Sequence, residues 1–211
     1  GQDRNARLDI VGFALAVLLI ELTPGPNMAW LSGLAATEGR RAGLSAVAGV
    51  ALGLLVNGVL AALGLATLLT AMPQVWRGLQ WASALMMVVL AVEAWRGSTR
   101  PARPVPTQKV NQHAFVTGLL INLLNPKAYI FFLVVAPRFL GGEALSLANA
   151  LVLALVSASI ATLIHLALVL AGARAHGWLA DPRRTLWARR GFAVIMLLVA
   201  ASFLFADLGK A

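Results

Sequence analysis

The sequence predicts an all-α integral membrane protein whose six transmembrane helices form two inverted repeats of three. Of its 211 residues, 60% are hydrophobic and only 12% are charged, both outside the usual range of a soluble domain. Six apolar runs are long enough to cross a bilayer core of about 30 Å, which takes about 20 helical residues. In addition, the first and fourth runs are interrupted by proline at corresponding positions.

The six predicted spans are bounded by charged or turn-forming residues. Barrel strands would alternate apolar and polar residues, whereas residues 61–69 and 193–201 are apolar on every face. Helices are therefore expected. The spans are 8–36, 43–72, 75–95, 113–137, 145–172 and 186–207.

Basic residues in the connecting segments predict the orientation of the chain. With six spans, eleven of these Arg and Lys residues fall on one side and five on the other, and the richer side is normally the cytoplasm. Both termini are therefore expected outside. The net charge of +9 is explained by these clusters, so nucleic-acid binding is not expected.

Residues 97–112 are predicted to form an extended cytoplasmic linker. They contain Pro101, Pro104 and Pro106 among several basic residues, a composition typical of linkers. The linker divides a single membrane domain, residues 1–211, into halves at 1–96 and 113–211. Three spans in each half make the second half cross the membrane in the opposite sense, as in an inverted repeat.

Two interruptions near mid-membrane are the most informative local feature. Leu-Leu-Ile-Glu-Leu (18–22) precedes Thr-Pro-Gly-Pro-Asn (23–27), and Leu-Leu-Ile-Asn-Leu (119–123) precedes Leu-Asn-Pro-Lys (124–127). Proline has no amide hydrogen and leaves a carbonyl of the preceding turn unpaired. Irregular backbone at this depth is tolerated where it packs in protein or lines a watery cavity. Both breaks are therefore expected to face inward.

The breaks predict a site for an amino-acid-like solute. A half-helix restarting near Asn27 would present amides to a carboxylate, and carbonyls released around residues 20–22 would suit an ammonium group. A simple proline kink, satisfied by neighbouring helices, is the alternative. The candidate substrate-binding residues are Thr23, Pro24, Gly25, Pro26, Asn27, Asn122, Asn125, Pro126 and Lys127.

Ionisable and polar side chains at depth extend this hypothesis. Glu21 and Lys127 are the charged residues nearest the middle of their spans, where an unpaired charge is costly. They are expected to pair, with Glu21 as the proton-coupling or ammonium site; a static ion pair is the alternative. Asn57 and His165 are further cavity candidates, with interhelical packing as their alternative.

Gly49 and Gly53 in the second span form a pair of small residues four positions apart, which allows close helix approach. The motif does not choose between a contact within one chain and a contact in a homo-oligomer.

The two broken motifs, together with Gly-Arg-Arg-Ala-Gly (39–43) and Gly-Leu-Leu-Ile-Asn (118–122), resemble the lysine exporter (LysE/RhtB) family over nearly the whole chain. The resemblance implies a secondary transporter of the bacterial inner membrane that exports amino acids or their derivatives, usually by proton antiport. It also implies that both motifs form the functional centre. The coupling role of Glu21 is inferred from its depth and not from the resemblance.

Other functional classes are less well supported by the sequence. A membrane enzyme would need a nucleophile with a base, or a metal cluster, but His113, His165 and His176 lack metal-ligand spacing. No catalytic residue, metal ligand or cofactor is predicted. An exporter of another small solute or of metal ions, and an assembly subunit, remain alternatives; the identity of the solute is undetermined.

Overall fold

A computed structural model describes residues 9–23, 25–99 and 106–205. In these ranges the regular secondary structure is helical, and a π turn at Phe131–Val135 and a 3-10 turn at Ala136–Phe139 continue α7. The α-helices are α1 Ile10–Leu22, α2 Pro26–Glu38, α3 Arg40–Ala62, α4 Leu65–Ala71, α5 Pro73–Thr99, α6 Thr107–Leu123, α7 Pro126–Ile130, α8 Leu147–Trp178 and α9 Pro182–Leu204.

Several helices begin after a residue whose side chain caps the first helical turn. The Asp9 side chain accepts a hydrogen bond from the Gly12 amide, Ser146 from the Asn149 amide, and Asp181 from the Arg183 amide. Such caps satisfy amides that have no partner within the first helical turn.

The helices match the predicted arrangement of continuous and broken spans. Four are long and apolar enough to cross a membrane alone: α3, α5, α8 and α9. The pair α1 and α2 bends by 56°, and the helical segments Thr107–Leu123 and Pro126–Phe139 bend by 47°. Counting each bent pair as one span gives up to six spans within the described residues, with the first and fourth broken as predicted.

Several predicted boundaries are wrong. The second span does not continue to residue 72, because Gly64 adopts a φ of +95° and a separate short helix, α4, follows it. Helices α5 and α6 extend into the predicted linker, as far as Thr99 and from Thr107 onward. Helix α8 continues to Trp178, beyond the predicted end of the fifth span at residue 172.

Small residues set the packing around α3, which contacts both α6 and α8. A Cβ atom at Gly49 would overlap the Phe115 carbonyl oxygen, and one at Gly118 would lie 2.5 Å from the Ala46 carbonyl oxygen. Gly49 and Gly53 therefore pack against α6 of the same chain, not against a second copy. On the other side of the bundle, α5 packs along α9.

Candidate functional site

A cavity of about 50 Å³ lies between the two helix breaks. Most of the predicted site residues line it, together with Leu54 of α3 and Ser157 of α8. Pro126 lines a neighbouring cavity instead, and Pro24 lies outside the described residues. The predicted residues on the central wall are Glu21, Thr23, Gly25, Pro26, Asn27, Asn122, Asn125 and Lys127.

The first break leaves backbone amides without an intrahelical partner at the start of α2. No side chain in the described ranges caps the start of α2 at Pro26, so the Asn27 and Met28 amides have no intrahelical partner. Thr23, in contrast, pairs two carbonyls of α1: its amide donates to Ile20 and its hydroxyl to Leu19. The start of α2 thus offers unpaired amides, a backbone site that favours an anion.

The second break is satisfied by the protein itself. The Asn57 amide group donates to the Asn122 carbonyl at 3.1 Å, the Tyr129 hydroxyl to the Leu123 carbonyl at 2.6 Å, and Ser83 to the Leu124 carbonyl. At the start of α7, the Asn125 side chain already accepts from the Lys127 amide. These backbone groups already have hydrogen-bond partners. The second break therefore fits the alternative interpretation, a proline kink whose exposed groups are satisfied by neighbouring helices.

Glu21 pairs with His165, and the predicted pairing with Lys127 is wrong. A carboxylate oxygen of Glu21 lies 3.5 Å from His165 Nε2; the His165 side chain is 1% exposed and that of Glu21 is 20% exposed. The two face each other because α1 packs against α8. His165 stands behind the cavity wall, so it touches a lining residue without lining the cavity itself.

Lys127 carries the cationic group of the cavity. Its Nζ atom lies 3.6 Å from the position that a Cβ on Gly25 would occupy, so the side chain reaches from the second break to the first. Among the described residues, no Asp or Glu oxygen lies within 4.0 Å of it. A positive and a negative side chain therefore share one cavity without forming an ion pair with each other.

Two asparagines join the broken spans directly. Asn27 donates to the Asn122 side chain at 3.2 Å, and within the described chain the Asn27 Oδ1 and Asn122 Nδ2 atoms have no hydrogen-bond partner although they are buried. Unpaired buried polar atoms are costly, so this pair has capacity for a polar ligand. Asn57 is fully buried and lies behind Asn122, not on the wall.

Sequence reasoning missed several contributors to this site, most of them apolar. Among them, Phe131 and Phe132 form an apolar part of the wall, and Ser157 of α8 also lines the cavity. A hydroxyl in the middle of an apolar span was the available signal for Ser157. The sequence contained no signal for the two phenylalanines, because any apolar run contains such residues.

The family model described as LysE type translocator matches residues 18–207, which span both breaks and nearly all of the chain. The chain belongs to the LysE family. This assignment and the apolar helices identify it as a multi-pass membrane protein of a translocator family.

Relatives of this LysE family member include proteins named for efflux. An uncharacterized membrane protein of Pseudomonas aeruginosa is 34% identical over 81% of this chain and 82% of its own length. The homoserine/homoserine lactone efflux protein of Salmonella typhimurium is 24% identical over 90% and 92%, and the threonine efflux protein of Escherichia coli is 28% identical over 61% and 65%. No solved structure matches.

Proposed function

We propose that this LysE family member exports amino acids or close derivatives from the cytoplasm and binds them as zwitterions in the central cavity. The observation that carries this proposal is the presence of Lys127 and Glu21 on one cavity wall without a mutual ion pair. Efflux by the relatives with named functions supports the direction of transport.

In this proposal the two charges of the solute have separate sites. The carboxylate binds Lys127 and the free amides at the start of α2, which combine a full charge with the positive end of a helix dipole. The ammonium group binds Glu21. Two unpaired side-chain atoms are also available to the solute: the Asn27 Oδ1 atom as an acceptor and the Asn122 Nδ2 atom as a donor.

Proton antiport follows from competition at Glu21. A protonated Glu21 has no net charge with which to bind an ammonium group, so the solute and a proton exclude each other there. The solute leaves to the outside, a proton binds Glu21 from the outside, and that proton is released to the cytoplasm after the cavity reopens inward. One solute leaves for each proton that enters, and His165 lies 3.5 Å from the carboxylate.

We place the protein in the bacterial inner membrane as an inverted repeat with both termini outside. Helices α3 and α8, second in each half, pack against each other, and so do α5 and α9, third in each half. Equivalent helices are expected to meet at a pseudo-twofold axis in such a repeat. The C-terminal end of α2 and the basic N-terminal part of α9 also lie together, since Arg189 bonds Glu38 at 2.7 Å, which supports one common cytoplasmic face.

A metal-ion exporter is a weaker hypothesis on the same site. Within the described ranges, no three His, Asp or Glu residues come together as metal ligands would. The central cavity instead offers one carboxylate, one ammonium group and amides.

Counterflow in proteoliposomes tests the proposed function. Purified protein is reconstituted with an unlabelled amino acid inside and the same labelled amino acid outside, with and without a pH gradient, over a panel of amino acids. We expect labelled solute to accumulate for a subset of the panel, and a pH gradient to drive net movement. Folded protein that exchanges none of the panel above protein-free liposomes would contradict the proposal.

Lys127→Met is expected to raise the half-saturation concentration for export by about 10- to 150-fold. The reason is that the solute carboxylate loses a hydrogen bond to a charged group, which is worth roughly 1.5–3 kcal/mol. Initial rates over a range of solute concentrations measure it. Arg77→Met, which removes an exposed charge at the start of α5, is the matched control and should leave this value unchanged. An unchanged value for Lys127→Met would remove Lys127 from the carboxylate site.

A further inference from the structure

A larger cavity lies between α2, α5, α6 and α9, on the side of the bundle proposed to face the cytoplasm. It measures about 450 Å³, compared with about 50 Å³ for the central cavity. We call it the vestibule. Part of its lining is apolar, including Trp30, Leu34 and Phe192. The charged or titratable side chains that line it are Glu38, Glu93, Lys109, His113 and Arg189.

Helix α2 runs from the central cavity into the vestibule. Asn27 lines the central cavity, whereas Trp30, Leu34 and Glu38 line the vestibule. Residues three or four positions apart lie on one face of a helix, so a single face of α2 serves both cavities. Among the described residues, none lines both. The two cavities are therefore separate in this structure, and Trp30, which is 2% exposed, lies one turn beyond Asn27.

The vestibule borders the seam between α2 and α9. Helices α5 and α9 pack along each other, while α2 packs on α8, and α3 joins α8 to α6. Helix α9 meets this second group mainly through α2. A Cβ atom on Gly33 of α2 would overlap the Phe192 ring of α9, so the two helices are in close contact there. The seam is thus the main contact between the α5–α9 pair and the rest of the bundle.

The ion pair between Glu38 and Arg189 lies at the proposed cytoplasmic end of this seam. Arg189 Nη2 is 2.7 Å from Glu38 Oε1, and Arg189 Nη1 is 3.1 Å from the position that a Cβ on Gly97 of α5 would occupy. The Arg189 and Glu38 side chains are 22% and 33% exposed. Ion pairs with this exposure to solvent contribute little to stability, so this contact can break and re-form during a transport cycle.

We propose that the vestibule is the cytoplasmic entrance of the transport pathway, and that the Glu38–Arg189 ion pair holds its inner end shut in this structure. This inference rests on the proposed function and adds the route of the solute and the residues that control it. When the pair breaks, α9 separates from α2 along the seam and α5 moves with it. The face of α2 between Trp30 and Asn27 is then uncovered, and the vestibule joins the central cavity.

Thiol labelling tests this gate without any solute. The sequence contains no cysteine, so Ser157→Cys places a single thiol on the central cavity, at a side chain that is 4% exposed. A membrane-impermeant maleimide is added to inverted membrane vesicles, which expose the cytoplasmic face. Adding Glu38→Gln is expected to raise the labelling rate about 1.4- to 5-fold, the factor by which a partly exposed ion pair shifts an equilibrium. Exchanging the charges, with Glu38→Arg and Arg189→Glu together, should restore the original rate.

Arg183→Gln is the matched control for this labelling, because Arg183 is exposed on the same helix and does not line the vestibule. It should leave the labelling rate of Ser157→Cys unchanged. A Glu38→Gln variant with a lower unfolding temperature and an unchanged labelling rate would show that the pair is only structural, and would overturn the inference. An equal rise in intact cells would overturn it as well, because the opening would then not be cytoplasmic.

A reversible tether between α2 and α9 connects the gate to transport. In the variant with Glu38→Cys and Arg189→Cys, a short bifunctional thiol reagent is expected to stop counterflow, and reductive cleavage of the tether should restore it. Each single cysteine variant, treated with the same reagent, is the control. Unchanged counterflow with the tether in place would overturn the inference and leave the proposed exporter intact. An untreated protein without substitutions that exchanges no amino acid would overturn the proposed function, and this inference with it.

Discussion

Glu21→Gln is expected to abolish export driven by a pH gradient while the protein remains folded. Glutamine keeps the shape of the side chain but removes the negative charge and the exchangeable proton. The ammonium group of the solute then loses a charged partner worth roughly 1.5–3 kcal/mol, or about 10- to 150-fold in affinity. Because solute and proton no longer compete for one carboxylate, the remaining transport should not respond to the gradient.

This result is measured as net efflux and as counterflow in the same proteoliposomes, at several pH gradients. Glu143→Gln is the matched control, since Glu143 lies in the exposed segment before α8 and its carboxylate accepts a hydrogen bond from Asn149. His165→Gln should retain part of the coupling, because His165 contacts the Glu21 carboxylate but the proposed proton site is the carboxylate itself. Undiminished proton-driven efflux by Glu21→Gln would eliminate Glu21 as the coupling residue.

Gly49→Ala is expected to destabilise the protein strongly for a change that adds a single methyl group. The added Cβ would overlap the Phe115 carbonyl oxygen, which belongs to the α6 backbone and has no alternative rotamer. Helices α3 and α6 must separate to admit it, and such overpacking costs about 1–3 kcal/mol. In a chain of 211 residues this corresponds to a fall of about 2–12 °C in the unfolding temperature.

Gly191→Ala is the matched control for this change. Gly191 also lies in a transmembrane helix, α9, but nothing lies within 4 Å of a Cβ placed there. Alanine should stabilise that helix by up to about 1 kcal/mol through its higher helix propensity. Both variants are compared by thermal unfolding in the same detergent. Equal unfolding temperatures would show that the contact between α3 and α6 tolerates an extra methyl group.

Local chemistry made both helix breaks predictable. Pro26 and Pro126 each begin a helix in the structure, as expected for a residue that has no amide hydrogen to contribute. The interruption at Gly64 was not predicted, since an isolated glycine in an apolar run is usually tolerated within a helix. Its positive φ depends on how the chain turns into α4.

The partners of the groups at the breaks were only partly predictable. The sequence identified Glu21, Lys127, Asn57 and His165 as costly to bury, because that cost depends on residue type and depth. It gave no information on which of them meet. Glu21 faces His165 because α1 packs against α8, a relation set by contacts distant in the sequence.

By itself, the sequence determined the helical membrane architecture, the two broken spans and the family. These properties follow from apolar run length, proline chemistry and motifs, all of which are local along the chain. Only the tertiary structure decided that the second break is satisfied by Asn57, Ser83 and Tyr129, and that Glu21 and Lys127 share a cavity without pairing. The physical reason is that hydrogen bonds and ion pairs act over a few ångströms, and the rotation and tilt of packed helices determine which side chains approach that closely.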